Sequence, residues 1–200
     1  MGRRVGLLGG TFDPVHIGHL SVAVEVRAAL ALDVVVLVVA ASPWQKVDVR
    51  TIAPADHRLA VCRAAVDGLS GIEVSDIEIA RGGPTYTADT IADWKALEPD
   101  ADVFLVVGSD VADDLDTWVR IDEVRSGATL VTVRRPGAQA APVERLRAEG
   151  WRIAEVEVPA LDVSSSDVRA RRASGRPIDV LVPAAAVREI EERGLYAPQR

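Results

Sequence analysis

The chain alternates between two patterns of apolar residues. Short continuous runs rich in valine, such as 34–40, are typical of strands that are covered on both faces of a parallel sheet. Apolar residues spaced by three or four positions, such as Ile17, Leu20 and Val24, indicate amphipathic helices. The predicted strands cover residues 4–8, 34–40, 72–79, 103–107, 129–133 and 152–158. The predicted helices cover residues 17–30, 55–69, 87–97, 143–149, 165–174 and 183–193.

The order of these elements predicts the fold class. Strands and helices alternate almost throughout, which is the pattern of an α/β protein with helices on both faces of a parallel sheet. We therefore predict a Rossmann-like, doubly wound parallel sheet with a helical subregion at the C-terminus. No internal repeat or convincing linker divides the sequence, so residues 1–200 are predicted to form a single domain. In such sheets, ligands bind beyond the carboxyl ends of the strands.

Composition and charge exclude several classes of protein. A hydrophobic fraction of 48% argues against a disordered chain, and a net charge of -7 argues against a general nucleic-acid binder. The apolar runs are too short to cross a membrane or to form a secretory signal. Cys62 is the one cysteine of the sequence, and its apolar helical surroundings predict a buried thiol. We expect a soluble, cytoplasmic protein without nucleic-acid or membrane partners.

The segment between the first predicted strand and the first predicted helix carries the most specific chemistry. Residues 9–19 read Gly-Gly-Thr-Phe-Asp-Pro-Val-His-Ile-Gly-His, which is neither the Gly-x-Gly-x-x-Gly dinucleotide pattern nor a P-loop. Glycines after a strand let the backbone approach a ligand closely, and the following helix start favours an anion. His16 and His19 share one face of the first helical turn, where imidazoles can donate to phosphoryl oxygens. The segment therefore predicts phosphoryl or nucleotidyl transfer.

Two simpler interpretations of the histidine pair compete with this prediction. Histidines three positions apart can bind a metal ion, or they can simply cap and pack the helix start. A metal site needs further ligands, and no cluster of Cys or Glu lies nearby in the sequence. Packing alone does not explain two histidines around Gly18 directly after a Gly-Gly strand end. We therefore favour phosphate chemistry without a metal ion held by the protein.

Residues 9–19 resemble the signature of the nucleotidyltransferase superfamily that carries the His-x-Gly-His motif. The resemblance implies direct attack of an acceptor phosphate on the α-phosphate of ATP, without a covalent enzyme intermediate. It also implies that Mg²⁺ is carried by the ATP phosphates and that His16 and His19 are catalytic. The ATP-binding residues expected on this basis are Gly9, Gly10, Thr11, Phe12, His16, His19, Gly108, Asp110, Ser165, Ser166 and Arg169.

Further blocks of the sequence resemble bacterial nicotinate-nucleotide adenylyltransferases. They follow one another in the expected order at 83–90, 108–110, 117–118, 134–137, 163–169 and 194–196. The resemblance implies transfer of AMP from MgATP to nicotinate mononucleotide, which gives nicotinate adenine dinucleotide and pyrophosphate in NAD biosynthesis. The acceptor-binding residues expected on this basis are Lys46, Thr85, Tyr86, Thr87, Trp118 and Arg134. Lys46 is also expected to act in catalysis.

The acceptor residues have structural interpretations as well. Trp118 offers a flat face on which a cationic pyridine ring can stack, but it can also be a core tryptophan. The backbone N–H groups of Tyr86 and Thr87 can hold the nicotinate carboxylate at a helix start. Alternatively, Thr85 or Thr87 is a plain N-cap. Asp110 can accept from a ribose hydroxyl, cap a helix, or do both.

The start of the predicted helix 165–174 has a similar double character. Ser164, with Asp167 three positions later, is close to a capping box. Ser165, Ser166 and Arg169 follow as candidate contacts to the triphosphate, and Arg169 would stabilise the leaving pyrophosphate. The loop after the second predicted strand reads Pro-Trp-Gln-Lys, where the resemblance leads us to expect Pro-Pro-His followed by Lys or Arg. Lys46 supplies the positively charged residue that the resemblance leads us to expect at that position.

Three other functions stay open at this stage. Phosphopantetheine adenylyltransferases belong to the same superfamily but tend to be shorter and lack the Thr-Tyr-Thr and Thr-Trp blocks. Nicotinamide mononucleotide differs from the nicotinate acceptor by one charge, which the sequence does not resolve. A nucleotide sensor without catalytic activity would tolerate loss of His16 or His19, yet both are present. A homo-oligomer is compatible with the sequence.

Overall fold

The computed structural model of the chain describes residues 2–41, 52–134, 137 and 141–198. Its strands are β1 (Arg4–Gly10), β2 (Val34–Val39), β3 (Ile72–Ser75), β4 (Asp102–Gly108), β5 (Thr129–Arg134) and β6 (Ile153–Glu157). They form a six-stranded sheet in the order β3-β2-β1-β4-β5-β6, and each neighbouring pair is parallel. This order confirms the predicted doubly wound α/β fold.

Helices connect the strands and complete the C-terminal part of the described chain. They are α1 (Ile17–Ala29), α2 (Ala55–Val66), α3 (Ile77–Arg81), α4 (Thr87–Leu97), α5 (Ile121–Gly127), α6 (Val143–Ala148), α7 (Ser165–Ala173) and α8 (Ala184–Glu192), with a 3₁₀ helix at Val111–Thr117. Most predicted elements end within a few residues of the observed ones. Across the described ranges, every helix is too short or too polar to span a bilayer.

Both faces of the sheet are buried. Along β2, alternate side chains from Val34 to Val39 enter two different apolar clusters, one on each face. Helices α1, α2, α7 and α8 contribute to the first cluster, whereas α4, α5, α6 and the 3₁₀ helix contribute to the second. Cys62 lies in the first cluster, and its burial raises the pKa of the thiol to about 12. The thiol is therefore buried, as predicted.

The prediction of one extended segment over 72–79 is wrong in its second half. Strand β3 ends at Ser75, whose hydroxyl accepts a hydrogen bond from the Ile77 N–H, and α3 begins at Ile77. The alternation of Ile77, Glu78 and Ile79 imitates a strand. Glu78, however, is buried and accepts a hydrogen bond of 2.6 Å from the Thr90 hydroxyl of α4. This partner exists only in the folded protein, so the alternation alone could not indicate a helix.

The 3₁₀ helix and α5 occupy a region in which the sequence pattern predicted no element. Each has seven residues, and their buried side chains are Ala112, Leu115 and Val124. Because so few apolar residues are involved, the helical periodicity is too short to be recognised. The 3₁₀ helix contributes to the wall of the candidate site.

The strand order creates the crevice in which a ligand can bind. Strand β1 pairs with β2 on one side and with β4 on the other. Strands β2 and β3 therefore extend the sheet in one direction from β1, and β4, β5 and β6 extend it in the other. The loops that leave their carboxyl ends, after Gly10 and Gly108, diverge from this point. Such a switch point is the usual ligand-binding position of doubly wound sheets.

Candidate active site

The loop from Thr11 to His16, which we call the signature loop, folds tightly against the end of β1. Phe12 adopts a left-handed conformation with φ of 47°, and its ring lies edge-on to the His19 ring at 5.0 Å between centroids. A Cβ atom on Gly10 would approach the Phe12 ring to 2.7 Å. Gly10 therefore leaves room for the buried Phe12 ring and for the return of the chain towards α1.

The two histidines form a reciprocal cap at the start of α1. His16 is the N-cap residue, and its Nδ1 accepts a hydrogen bond of 3.2 Å from the Gly18 N–H. The Nδ1 of His19 accepts in turn from the His16 N–H at 3.3 Å. Their rings lie 3.8 Å apart between centroids and are tilted by 32°. Capping, which we regarded as an alternative to phosphate chemistry, is thus part of what the pair does.

This cap determines how the imidazoles can act. A neutral imidazole carries its proton on one nitrogen, and a nitrogen that accepts a hydrogen bond is the unprotonated one. Because Nδ1 accepts in both rings, Nε2 is the protonated nitrogen of each neutral ring. Both histidines therefore offer an Nε2–H donor, as the predicted contact with phosphoryl oxygens requires. A Cβ on Gly18 would lie 3.0 Å from the His16 ring, so the small residue between the histidines preserves this arrangement.

Buried polar residues that the sequence analysis did not single out hold the signature loop. Arg58 of α2 is 1% exposed and donates to the Thr11 carbonyl at 2.6 Å and to the Ala40 carbonyl at 2.7 Å. It donates as well to the Ala53 carbonyl at 2.9 Å. Asp13 is also 1% exposed. An arginine next to the apolar face of a predicted helix is usually a surface residue, so its spacing carried no signal of this role.

Helix α7 contributes a second group of contacts to the same loop. Ser164 caps the helix by accepting from the Asp167 N–H at 3.1 Å, as the sequence predicted. The Ser165 hydroxyl donates to the Pro14 carbonyl at 2.8 Å, and Arg169 donates to the Asp13 carbonyl at 2.7 Å. Residues expected to bind the triphosphate thus also fasten the signature loop to the C-terminal part of the fold.

A cavity of about 970 Å³ opens above the carboxyl ends of β1 and β4, and we call it the nucleotide cavity. Its volume lies within the usual range for small-molecule sites. The structure brings together in its wall all the residues expected to bind ATP, namely Gly9, Gly10, Thr11, Phe12, His16, His19, Gly108, Asp110, Ser165, Ser166 and Arg169. In the described parts of the chain, no three His, Cys, Asp or Glu side chains are grouped so that they could hold a metal ion.

A second cavity of about 520 Å³, the acceptor cavity, adjoins the first. Asp110 and Asp114 line both cavities. Four of the residues expected to bind the acceptor line the second one, namely Thr85, Tyr86, Thr87 and Trp118. The two cavities therefore meet next to the 3₁₀ helix, where two ligands could come into contact.

The alternatives for the acceptor residues are now partly decided. Tyr86, not a threonine, is the N-cap residue of α4, and no side chain caps that helix, so the N-cap interpretation of Thr85 and Thr87 is wrong. Asp110 precedes the 3₁₀ helix but makes no capping bond through its side chain. Trp118 is half-buried, packs against the second apolar cluster and lines the acceptor cavity. It is therefore partly a core residue, and stacking of a pyridine ring on it stays a prediction.

The other two residues expected to bind the acceptor are Arg134 and Lys46. Arg134, at the end of β5, lines neither cavity, and its guanidinium donates to the Glu157 carboxylate at 2.7 Å. A role in acceptor binding would require this ion pair to open. Lys46, expected both in catalysis and in acceptor binding, lies outside the described residues.

Comparison with known proteins identifies the family. The profile of the cytidylyltransferase-like family matches residues 7–171. A protein of Streptomyces coelicolor named "Probable nicotinate-nucleotide adenylyltransferase" is 44% identical over 189 residues, which cover 94% of this chain and 98% of that protein. A protein of the same name from Corynebacterium kroppenstedtii is 42% identical over 195 residues, which cover 98% and 92%. The chain belongs to the nicotinate-nucleotide adenylyltransferase family.

Solved structures agree with this assignment at the level of the fold. The nicotinic acid mononucleotide adenylyltransferase of Plasmodium falciparum, complexed with NaAD, superposes on the chain with a TM-score of 0.79 at 18% identity, covering 97% of both chains. The same protein complexed with APC gives a TM-score of 0.77. The chain therefore shares its overall fold with this adenylyltransferase.

A third cavity, of about 260 Å³, links the two others behind Trp118 and contains a buried acid that the sequence analysis missed. Glu78 is 5% exposed and lines this cavity together with Thr85 and Thr87. Burial raises the pKa of Glu78, while the hydrogen bond from Thr90 opposes the rise. In this adenylyltransferase, Glu78 thus shares a cavity wall with Thr85 and Thr87, two of the residues expected to bind the acceptor.

We expect Glu78→Gln to remove a pH-dependent cost in stability. The folded-state pKa of Glu78 is raised. The stability that this acid contributes is therefore fully present below its unfolded-state pKa, near 4.3, and is lost as the pH rises through its folded-state pKa. The variant should gain stability relative to wild type as the pH increases from about 4 to about 7. Urea denaturation across this range measures the difference. Glu144→Gln, at an exposed position, is the control, and a pH-independent difference at position 78 would contradict the assignment.

Proposed function

We propose that the chain transfers AMP from ATP to nicotinate mononucleotide, forming nicotinate adenine dinucleotide and pyrophosphate in NAD biosynthesis. The observation that carries this proposal is the junction of two cavities at Asp110. One has paired histidines and a helix start in its wall, and the other has an indole and a second helix start. The names of relatives 42–44% identical to the chain agree with it.

The nucleotide cavity supports direct attack on the α-phosphate. An oxygen of the acceptor phosphate bonds to the α-phosphorus, and the bond from the α-phosphorus to the bridging β-oxygen breaks, so that pyrophosphate leaves with the electron pair. Negative charge grows on the α-phosphoryl oxygens and on the leaving group. The Nε2–H groups of His16 and His19 and the N-terminus of α1 donate to this charge. Mg²⁺ carried by the ATP phosphates would neutralise more of it.

Side chains of α7 would hold the leaving pyrophosphate. Ser166 lies in the first turn of this helix and Arg169 in the second, and the two are joined by a hydrogen bond of 3.0 Å. A guanidinium binds phosphate oxygens through charge-assisted hydrogen bonds. Lys46, from the loop that follows β2, would add a second cation on the acceptor side.

The acceptor cavity suits a charged pyridine ring that carries a carboxylate. The Trp118 indole gives a face on which the cationic ring can stack. The start of α4 at Thr87 presents backbone N–H groups, which favour an anion. An amide substituent would gain less from this helix start, because it carries no negative charge. We therefore propose the acid as the preferred acceptor.

We expect Trp118→Ala to weaken acceptor binding selectively. Losing a cation–π contact should raise the KM for nicotinate mononucleotide by ~3–30-fold while the KM for ATP changes by less than about twofold. Trp118→Phe keeps an aromatic face and should recover part of the loss. Steady-state kinetics with each substrate varied separately measures both constants. An equal rise in both constants would assign Trp118 to the core alone.

The proposed function is tested by pyrophosphate release with MgATP and one of three acceptors. The acceptors are nicotinate mononucleotide, nicotinamide mononucleotide and phosphopantetheine. A clear preference for the first is the expected result. Preference for the second would keep the mechanism but remove the carboxylate contact at the start of α4. Activity with phosphopantetheine alone would overturn the acceptor assignment, and inactivity with all three would overturn the enzymatic function.

A further inference from the structure

The chain returns to the active site near its C-terminus. Gly194, with φ of 62°, ends α8, and the Leu195 N–H donates to the Ile190 carbonyl at 2.9 Å. The buried Leu195 side chain anchors this turn in the first apolar cluster. Tyr196 follows with φ of 55°, and its hydroxyl donates to Oδ1 of Asp13 at 2.6 Å. This hydrogen bond joins residues 183 positions apart.

Asp13 connects several elements at this point. Its Oδ1 also accepts from the Ala53 N–H, at 3.3 Å, just before α2 begins. Its carbonyl accepts from Arg169 of α7 at 2.7 Å. Burial and the hydrogen bond to Asp13 both raise the pKa of Tyr196, so the hydroxyl keeps its proton and remains a donor. The position of Asp13 is therefore determined from the C-terminal side of the fold as well as from α2.

Backbone strain lies on both sides of this hydrogen bond. Phe12, directly before Asp13, and Tyr196 itself are bulky residues in the left-handed region, with φ of 47° and 55°. Such conformations are unfavourable for bulky residues and persist only where the surrounding contacts impose them. Strained residues of this kind cluster at functional sites. The Tyr196–Asp13 bond is one of the contacts that can impose the shape of the signature loop.

We propose that Tyr196 is a positioning residue for the adenylyl transfer, acting through Asp13 on the two histidines. Asp13 lies three positions before His16, and the segment between them runs directly into the N-cap of α1. A small displacement of Asp13 is therefore passed to the His16 N–H and to the Nδ1 acceptors of both rings. The inference rests on the proposed function, because its effect is on the orientation of the Nε2–H donors towards the α-phosphate.

The test is Tyr196→Phe, which removes one oxygen atom and keeps the ring. We expect kcat to fall by ~10–100-fold, because misplacing catalytic groups by about an ångström can cost that much, while KM for both substrates changes by less than about threefold. Ser174→Ala is the matched control, since its hydroxyl donates to the Ala170 carbonyl at the end of α7 and contributes to neither cavity. It should leave kcat unchanged.

A double-mutant cycle separates positioning from general stability. Asp13→Asn weakens the same link from the other side, and Tyr196→Phe should cause little further loss of kcat in that background. Independent, multiplicative losses would overturn the proposal, as would a wild-type kcat in Tyr196→Phe. A loss of kcat that the Ser174→Ala control shares would equally overturn it.

An NMR measurement keeps this inference distinct from the proposed function. The chain has three histidines, so the imidazole ¹⁵N signals can be assigned with few variants. Tyr196→Phe should shift the Nδ1 signals of His16 and His19, whereas Ser174→Ala should not. If wild type is inactive with every acceptor but these shifts occur, the proposed function fails while the structural link stands. If wild type is active and the shifts and the loss of kcat are both absent, the link alone fails.

Discussion

Replacing His16 by asparagine should lower kcat by ~10²–10³-fold while leaving the unfolding midpoint close to that of wild type. The asparagine side-chain oxygen can take the place of Nδ1 as acceptor for the Gly18 N–H, and asparagine is among the preferred N-cap residues. It has no counterpart of Nε2. The variant thus removes the donor that we propose for the transition-state charge but keeps the helix cap.

The alanine variant of the same residue distinguishes the two roles. His16→Ala should show the same loss of kcat and, in addition, a loss of about 1 kcal/mol in the free energy of unfolding, because the cap is absent. His19→Asn should behave as His16→Asn does, since its Nδ1 is also an acceptor from a backbone N–H. Turnover close to wild type in both asparagine variants would mean that the histidines only cap α1. Single-turnover kinetics with saturating substrates, alongside thermal unfolding, provides both quantities.

Replacing Arg58 by methionine should lower the free energy of unfolding by about 3–5 kcal/mol. The guanidinium is buried and donates to the carbonyl oxygens of Thr11, Ala40 and Ala53. Methionine matches much of the volume but offers no donor, so these carbonyls lose their partner in a buried setting. Arg58→Lys keeps the charge, but a lysine ammonium cannot reach all three carbonyl oxygens at once. Its loss in the free energy of unfolding should therefore be smaller than that of Arg58→Met. Urea denaturation measures the stabilities.

Arg63→Met is the matched control on the same helix. Arg63 is exposed and pairs with Asp76 at 3.1 Å, and an exposed ion pair contributes at most about 1 kcal/mol. If Arg58→Met were no less stable than Arg63→Met, Arg58 would not hold the ends of β1 and β2 together. Arg58→Met also tests how the candidate site is held, because the Thr11 carbonyl that Arg58 binds belongs to the signature loop.

The candidate site shows which residues a local pattern can reveal. The segment 9–19 combines a strand end, two glycines and two histidines. Its chemistry can be predicted because all of these features lie within eleven consecutive residues. Arg58 lies outside every recognised block, whereas Asp13 and Tyr196 lie inside the blocks 9–19 and 194–196. The contacts of all three are with partners far away in sequence, so the local pattern did not indicate what these side chains do. Arg134 shows a different limit of the sequence, and its role in acceptor binding stays a prediction. It belongs to a recognisable block of sequence, yet the structure pairs it with Glu157 of the neighbouring strand.

The fold likewise has elements that a local pattern predicts and elements that depend on contacts between distant residues. Strands β2 and β4 and helices α1 and α4 were predictable, because continuous valine-rich runs and helical spacing record how each element is buried. The alternation at 77–79 misled because a strand and a short helix can both bury one face of it, and the contact from Thr90 to Glu78 decides between them. The sequence alone thus predicted the α/β class, and it marked the segment 9–19 and the later blocks as candidates for phosphate and acceptor binding. The histidine cap is local, and the structure decided only that both rings accept through Nδ1. That the two cavities meet at Asp110 and that Tyr196 reaches Asp13 was decided by the tertiary structure alone, because each depends on distances between segments that folding brings together.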